Sequence, residues 1–288
     1  MSYQPVMKWT GSKRSQAPEI AKFITKQYGI YYEPFCGGCS MLNYILQNKG
    51  THFTKFICSD LNDSLIETFK MIKNEPEKIK ESYNMFWNYM NDGFNTPTEK
   101  KKIFEEIREK YNTKGEFYHN PYLFLFIMRT TTNGMPRYNK NGQFNNSFHI
   151  TRSGIEPNRF NPIIDEWSER LNKYNVKFIC QSYDKIIPNE NDLCYFDPPY
   201  AGVSKNQMYF GALNQENLFT FLKGLKCDWI LSYDGVAGSN DMRIDVKSIL
   251  SCEEHLLKSG NSSFRRTIGN SKDTIVYESL YTHIKRNQ

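Results

Sequence analysis

The chain has 288 residues, 39% of them apolar and 15% aromatic, enough to pack a core and to exclude a wholly disordered protein. No run approaches the roughly eighteen apolar residues of a membrane span, and the opening Met1-Ser2-Tyr3-Gln4-Pro5-Val6 has no apolar signal core. A soluble, cytoplasmic protein without a membrane partner is therefore expected. The formal charge of +6 suits a polyanionic partner without requiring one.

A helix is predicted over 15–28, where Ile20, Phe23, Ile24 and Gln27 fall on helical spacing and Pro18 sits in the first turn. A β-rich run at 31–35 follows, then a glycine turn and a helix at 40–47. A second strand is predicted at 55–59. Charged helical patterns then occupy 74–91, 98–112 and 121–129, followed by a polar loop rich in Asn and Gly over 130–147. Strands resume at 176–181 and 193–197. A helix at 217–226 precedes strands at 229–233 and 274–281. The stretch 255–272 reads as a basic loop, with Lys258, Arg265, Arg266 and Lys272 among Gly, Ser and Asn, open to phosphate contact or simply solvated. Strand and helix in alternation point to a mostly parallel α/β sheet. The long excursion between the second and third strands points to a helical insertion.

Seven cysteines fit a reducing compartment, and Cys36, Cys58, Cys180 and Cys194 lie in or beside strand-like apolar runs. Cys36 and Cys39 form C-x-x-C without a second ligand pair at metal spacing, so no metal is expected.

The strongest chemical signal is Asp197-Pro198-Pro199-Tyr200 immediately after a predicted strand. Ligands of open α/β sheets sit beyond the carboxyl ends of strands. An amine conjugated to a ring is a poor nucleophile. A carboxylate and a proline carbonyl can each accept one of its hydrogens and draw the nitrogen toward a tetrahedral shape. The two prolines carry no N–H, so the turn offers acceptors only, and Tyr200 offers a flat face for a base. Second comes Glu33-Pro34-Phe35-Cys36-Gly37-Gly38-Cys39-Ser40, a strand running into a glycine turn and a helix, with Asp60 closing the next strand where a carboxylate can receive ribose hydroxyls. Third is Lys8-Trp9-Thr10-Gly11-Ser12-Lys13, an indole and two lysines around a Gly-Ser turn.

These three motifs, in this order, resemble the Dam-like family of DNA adenine methyltransferases. Arg129-Thr130-Thr131-Thr132-Asn133-Gly134-Met135-Pro136-Arg137-Tyr138-Asn139 is similar to the family's target-reading hairpin, and Phe264-Arg265-Arg266 and Glu278-Ser279-Leu280-Tyr281 to its C-terminal segment. The resemblance implies a Rossmann-like, mostly parallel methyltransferase sheet from 1–61 and 176–288, with S-adenosylmethionine as cofactor. The insertion 62–175, with a hairpin loop at 130–148, would recognise the target.

It further implies a catalytic Asp197, Pro198, Pro199 and Tyr200, with Trp9, Lys13, Glu33, Phe35, Gly37, Asp60, Ser182, Tyr183 and Asp197 on the cofactor. Lys8, Arg129, Thr132, Asn133, Arg137, Asn139, Arg265 and Arg266 would meet DNA. Arg137 and Lys8 suit the major-groove edge of guanine. Many relatives carry aspartate where Ser182 stands, and the family's wedging aromatic is Thr132 here. The implied reaction is methyl transfer to N6 of a flipped adenine in duplex DNA, with GATC as the family's common target. The implied setting is a monomer, alone or beside a restriction endonuclease encoded nearby. Two other readings share these motifs: an amine methyltransferase acting on RNA or protein glutamine, and a catalytically silent DNA-binding protein of the same fold.

Overall fold

The computed structural model describes residues 4–116, 118–199, 213–237, 240–259 and 276–285. A short helix, α1 (Ala17–Ile20), passes into a 3-10 turn at Ala21–Phe23. Ile24 then leaves helical geometry at φ −85°, ψ 86°. The single helix expected over 15–28 therefore does not form. Ile20 and Ile24 are buried all the same and Phe23 is half-buried, and β1 (Tyr28–Glu33) starts earlier than expected. Its first residue is held from outside, because the Tyr28 hydroxyl donates to Asp228 at 3.1 Å.

After β1 come α2 (Ser40–Asn48) and β2 (Phe53–Asp60). Five helices follow: α3 (Asp63–Asn74), α4 (Pro76–Met90), α5 (Pro97–Asn112), α6 (Pro121–Thr130) and α7 (Pro157–Lys173). Four of them open on proline, which loses no needed N–H there. Asn62 caps α3, Asn120 caps α6, and Thr96 with Glu99 makes a reciprocal capping box on α5. α6 is buried from Leu123 to Thr130 and packs against α3, α4 and α5. It is the core of this helical layer. No sequence expectation covered α3 or α7, although Phe160, Ile163, Ile164, Trp167 and Leu171 of α7 are buried at helical spacing.

The chain returns to the sheet as β3 (Lys177–Cys180) and β4 (Leu193–Phe196). Helix α8 (Gln215–Gly224) leads into β5 (Asp228–Ala237) and β6 (Asn240–Asp241). Last come α9 (Val246–Ile249), β7 (Glu253–Ser259) and β8 (Val276–His283). The strand order is β3-β2-β1-β4-β5-β8-β7, with β6 pairing β5. β3 through β5 run parallel, and β8 lies antiparallel to both β5 and β7. The mostly parallel α/β sheet is as expected.

Residues 255–259 are not the loop that their basic, polar character suggested. They form part of edge strand β7, where Leu256 and Leu257 sit among charged and polar neighbours and every side chain keeps some exposure, as an edge tolerates. Residues 260–272, with Arg265 and Arg266, lie outside the described residues. Cys36, Cys58 and Cys194 are buried as expected, whereas Cys180, at the end of β3, is exposed. Among the described residues no helix is long and apolar enough to cross a membrane.

The order reverses at β1, with β2 and β3 to one side and β4 and β5 to the other. Tyr31 pairs with Leu193 and Tyr32 with Cys194. The carboxyl ends of β1 and β4 thus part side by side and open a crevice at the switch point.

Candidate active site

A cavity of about 590 Å³ fills this crevice, a size that suits a small organic ligand. Its floor is the turn after β1. Gly37 stands at φ +46° and Cys39 at +53°, left-handed geometry that swings the chain into α2. Trp9 lies directly on this turn. A Cβ on Gly37 would come within 2.6 Å of the indole Nε1, and one on Gly38 within 2.7 Å of the Trp9 Cβ. Both glycines are there for a close approach.

Asp60, at the end of β2, ties the turn down. Its Oδ2 accepts from the Gly37 N–H at 3.1 Å and its Oδ1 from the Asn62 N–H at 3.0 Å. The Leu61 N–H bonds the same carboxylate, whose two oxygens still leave capacity for a hydroxyl. Burial raises the Asp60 pKa, against the opposing pull of its backbone donors. Phe35 and Tyr183 form a stacked wall, ring centroids 5.3 Å apart, and Phe221 meets Tyr183 edge-on.

At the end of β4, Asp197 faces the same cavity. Lys13, only 4% exposed, sets its Nζ 2.7 Å from Asp197 Oδ1 and 3.6 Å from Glu278 Oε2. It also donates to the Gly11 carbonyl at 3.1 Å. Burial lifts the Asp197 carboxyl to about 6, and Lys13 restrains the rise. On Lys13 itself, burial lowers the pKa but Asp197 and Glu278 outweigh it, leaving the ammonium above its ordinary value. Glu33, buried at the end of β1, is pushed up to about 8 by burial, although the Tyr31 hydroxyl donates to it at 2.8 Å. Of the two buried carboxyls, Asp197, with Lys13 beside it, is therefore the more acidic and Glu33 the readier to hold a proton.

The expected cofactor residues Trp9, Lys13, Glu33, Phe35, Gly37, Asp60, Ser182, Tyr183 and Asp197 all line this one cavity, together with Pro198 and Pro199. Tyr200 lies outside the described residues. Lys13 differs from expectation in one respect, since two carboxylates engage its ammonium.

The loop after α6 is hairpin-like, with antiparallel bridges at Thr131–Phe148 and Tyr138–Phe144. Asn133, at φ +58°, and Arg137 are exposed, and Lys8 is half-buried. Burial and the charges of Arg129 and Arg152 lower Lys8 to about 8. Two residues expected at DNA are engaged within the protein. Arg129 is only 8% exposed, stacked over Phe160 and weakly bonded to the Pro5 carbonyl, because it rides on the buried helix α6. Asn139 is spent on the hairpin tip, accepting from the Asn141 and Gln143 N–H groups and donating to the Gln143 side chain. Thr132 is half-buried, and its hydroxyl is bonded within the hairpin, to the Ser147 carbonyl at 3.2 Å and the Phe148 carbonyl at 3.3 Å.

Several cavity residues went unread in the sequence. Met135, Pro136 and Tyr138 bring the loop after α6 to the cavity wall, where Asn62, the cap of α3, also lies. Asn62 before Asp63-Ser64-Leu65 is a recognisable cap pattern; a tyrosine inside a polar loop gives no such signal.

A profile described as D12 class N6 adenine-specific DNA methyltransferase matches residues 9–258. The chain is 29% identical over 226 residues to the Type II methyltransferase M.MjaIII of Methanocaldococcus jannaschii, covering 73% of each. It is 24% identical over 215 residues to the Type II methyltransferase M1.LlaDCHI of Lactococcus lactis subsp. cremoris, over 73% of this chain and 70% of that one. A DNA adenine methylase of Vibrio cholerae serotype O1 is 29% identical over 201 residues, 69% of this chain and 65% of its own.

Proposed function

The chain belongs to the D12 class N6 adenine-specific DNA methyltransferase family, and from this premise we propose how its own residues carry out site-specific adenine methylation. The family requires a donor of the S-adenosylmethionine type, and we assign S-adenosylmethionine itself to the switch-point cavity. The chemistry of the walls supports that assignment. The Phe35–Tyr183 pair suits an adenine ring, Asp60 suits a ribose diol, and the tight Gly37–Gly38 turn beneath Trp9 admits backbone contact. When bound, the cofactor supplies an electrophilic methyl on a positively charged sulfur.

The remaining work falls to Asp197 and Pro198. Lys13 occupies Asp197 Oδ1 and keeps the carboxylate ionised. The other oxygen is then the one to accept one hydrogen of adenine N6, while the Pro198 carbonyl accepts the second. The lone pair of N6 is then aimed at the methyl carbon, a gain of orientation and desolvation. Once N6 has formed its new bond it must lose a proton, and a carboxylate with a pKa of about 6 can receive it. Tyr200 would provide the stacking face for an adenine turned out of the duplex.

The segments 1–61 and 176–288 would form the catalytic unit. The insertion 62–175 would read duplex DNA through Asn133 and Arg137, aided by Lys8. The Type II methyltransferase names of two relatives support a partnership with a restriction endonuclease. A monomer acting in the cytoplasm is the simplest form of this reading.

The observation that carries the proposal is the Asp197–Lys13 pair facing the glycine-turn cavity. Asp197→Ala should abolish methyl transfer from tritiated S-adenosylmethionine to duplex DNA while leaving duplex binding within a few-fold. Near-wild-type transfer by that variant, or a wild-type preference for RNA or protein, would overturn the reading.

A further inference from the structure

The loop assigned to target reading also builds the wall of the cofactor cavity. Asn133 and Arg137 are exposed, while Met135, Pro136 and Tyr138 line the cavity. One short stretch of chain therefore has one side toward solvent and the other toward the methyl donor's site.

It is also bonded to the cofactor turn. The Asn62 Nδ2 donates to the Tyr138 hydroxyl at 3.1 Å, in a buried contact between residues far apart in sequence. The Asn62 N–H donates to Asp60 Oδ1 at 3.0 Å, and Asp60 Oδ2 accepts from the Gly37 N–H at 3.1 Å. The Asn62 Oδ1 simultaneously caps α3 by accepting from the Leu65 N–H at 3.0 Å. Tyr138 is itself only 6% exposed and hydrogen-bonds Tyr111 of α5.

The loop is held to itself and to α5 by hydrogen bonds. The Asn146 side chain donates to the carbonyls of Thr132 and Met135, and Asn112 of α5 exchanges two hydrogen bonds with the Phe144 backbone. The Asn145 N–H donates to the Arg137 carbonyl, next to Tyr138 in the chain.

We propose that Tyr138 and Asn62 are positioning residues that couple the two substrates: a ligand engaging Asp60 and the Gly37 turn fixes the Asn62–Tyr138 bond, and with it the pose of Asn133 and Arg137. Occupancy of the cofactor cavity and recognition of DNA then strengthen each other, by one factor in both directions. The inference rests on the cavity being the S-adenosylmethionine site and on the loop reading DNA.

The test uses the full chain, S-adenosylhomocysteine as a non-reactive cavity ligand, and a duplex bearing the sequence that the wild type methylates in expressing cells. Duplex Kd is measured with and without saturating S-adenosylhomocysteine, and the reciprocal ratio by titration calorimetry. The wild type should gain about fivefold or more, the lower range of such couplings. Tyr138→Phe keeps the ring and loses the hydroxyl. Asn62→Ser keeps a capping oxygen but cannot reach Tyr138. In both variants the ratio should fall below about twofold, each ratio being taken against the variant's own affinity for the duplex and for S-adenosylhomocysteine alone. A purely structural role would lower Tm and leave the ratio intact. A wild-type ratio near one, or an unchanged ratio in either folded variant, overturns the coupling. Failure of the wild type to bind S-adenosylhomocysteine or to methylate any duplex would instead overturn the cofactor or substrate assignment.

Discussion

A carboxylate that must accept a hydrogen from an amine has to stay ionised, and at Asp197 burial works against this. Lys13 is the counterweight, 2.7 Å away. With the Asp197 pKa at about 6, methylation at subsaturating substrate should fall about tenfold per unit as pH drops below that value, since protonation removes the acceptor. Lys13→Met should move this acidic limb upward by about 1–3 units, read from kcat/KM between about pH 5 and 9. A limb that stays in place would show that something else keeps Asp197 charged. The Asp197-Pro198 acceptors were legible because their chemistry is contiguous in the chain. The Lys13 contact was not, because it joins residues far apart in sequence, and the same lysine read equally well as a cofactor ligand.

Among the elements, the glycine turn is the least forgiving. Gly37→Ala would add a methyl 2.6 Å from the Trp9 indole at φ +46°, so Trp9 or the turn must shift. The expected result is a loss of about tenfold or more in S-adenosylhomocysteine affinity, consistent with roughly 1–3 kcal/mol of backbone strain, while the circular dichroism of the fold is retained. Isothermal titration of the variant decides it. The central strands and α4 to α6 could be read because apolar residues recur along them or charged helical pattern surrounds them. β7 could not, because an edge strand carries polar residues that resemble a loop. Helix α1 was overread, since Ile20 and Ile24 fall on helical spacing although the chain turns at Ile24. On α6 the sequence marked Arg129 as a cation without revealing that the helix bearing it is buried on every side.

For the molecule as a whole, Glu33 links global stability to pH. Its carboxyl rises from an ordinary 4.5 to about 8 in the folded state, burial being the main cause. The folded protein therefore holds a proton that the unfolded chain releases. The stabilisation is complete below about pH 4.5 and is lost as pH rises through about 8. Glu33→Gln should lose less stability between about pH 5 and 8 than the wild type does, measured as the urea midpoint without ligand. An identical slope would mean that Glu33 is already ionised.

Assembly adds a consequence of timing. Lys13, Asp197 and Glu278 meet at one ammonium, yet the ribosome delivers them far apart, and β8 must take its place between β5 and β7 after both have been made. An unfinished polypeptide can possess the glycine turn, Trp9 and the whole loop after α6 without the complete charge cluster.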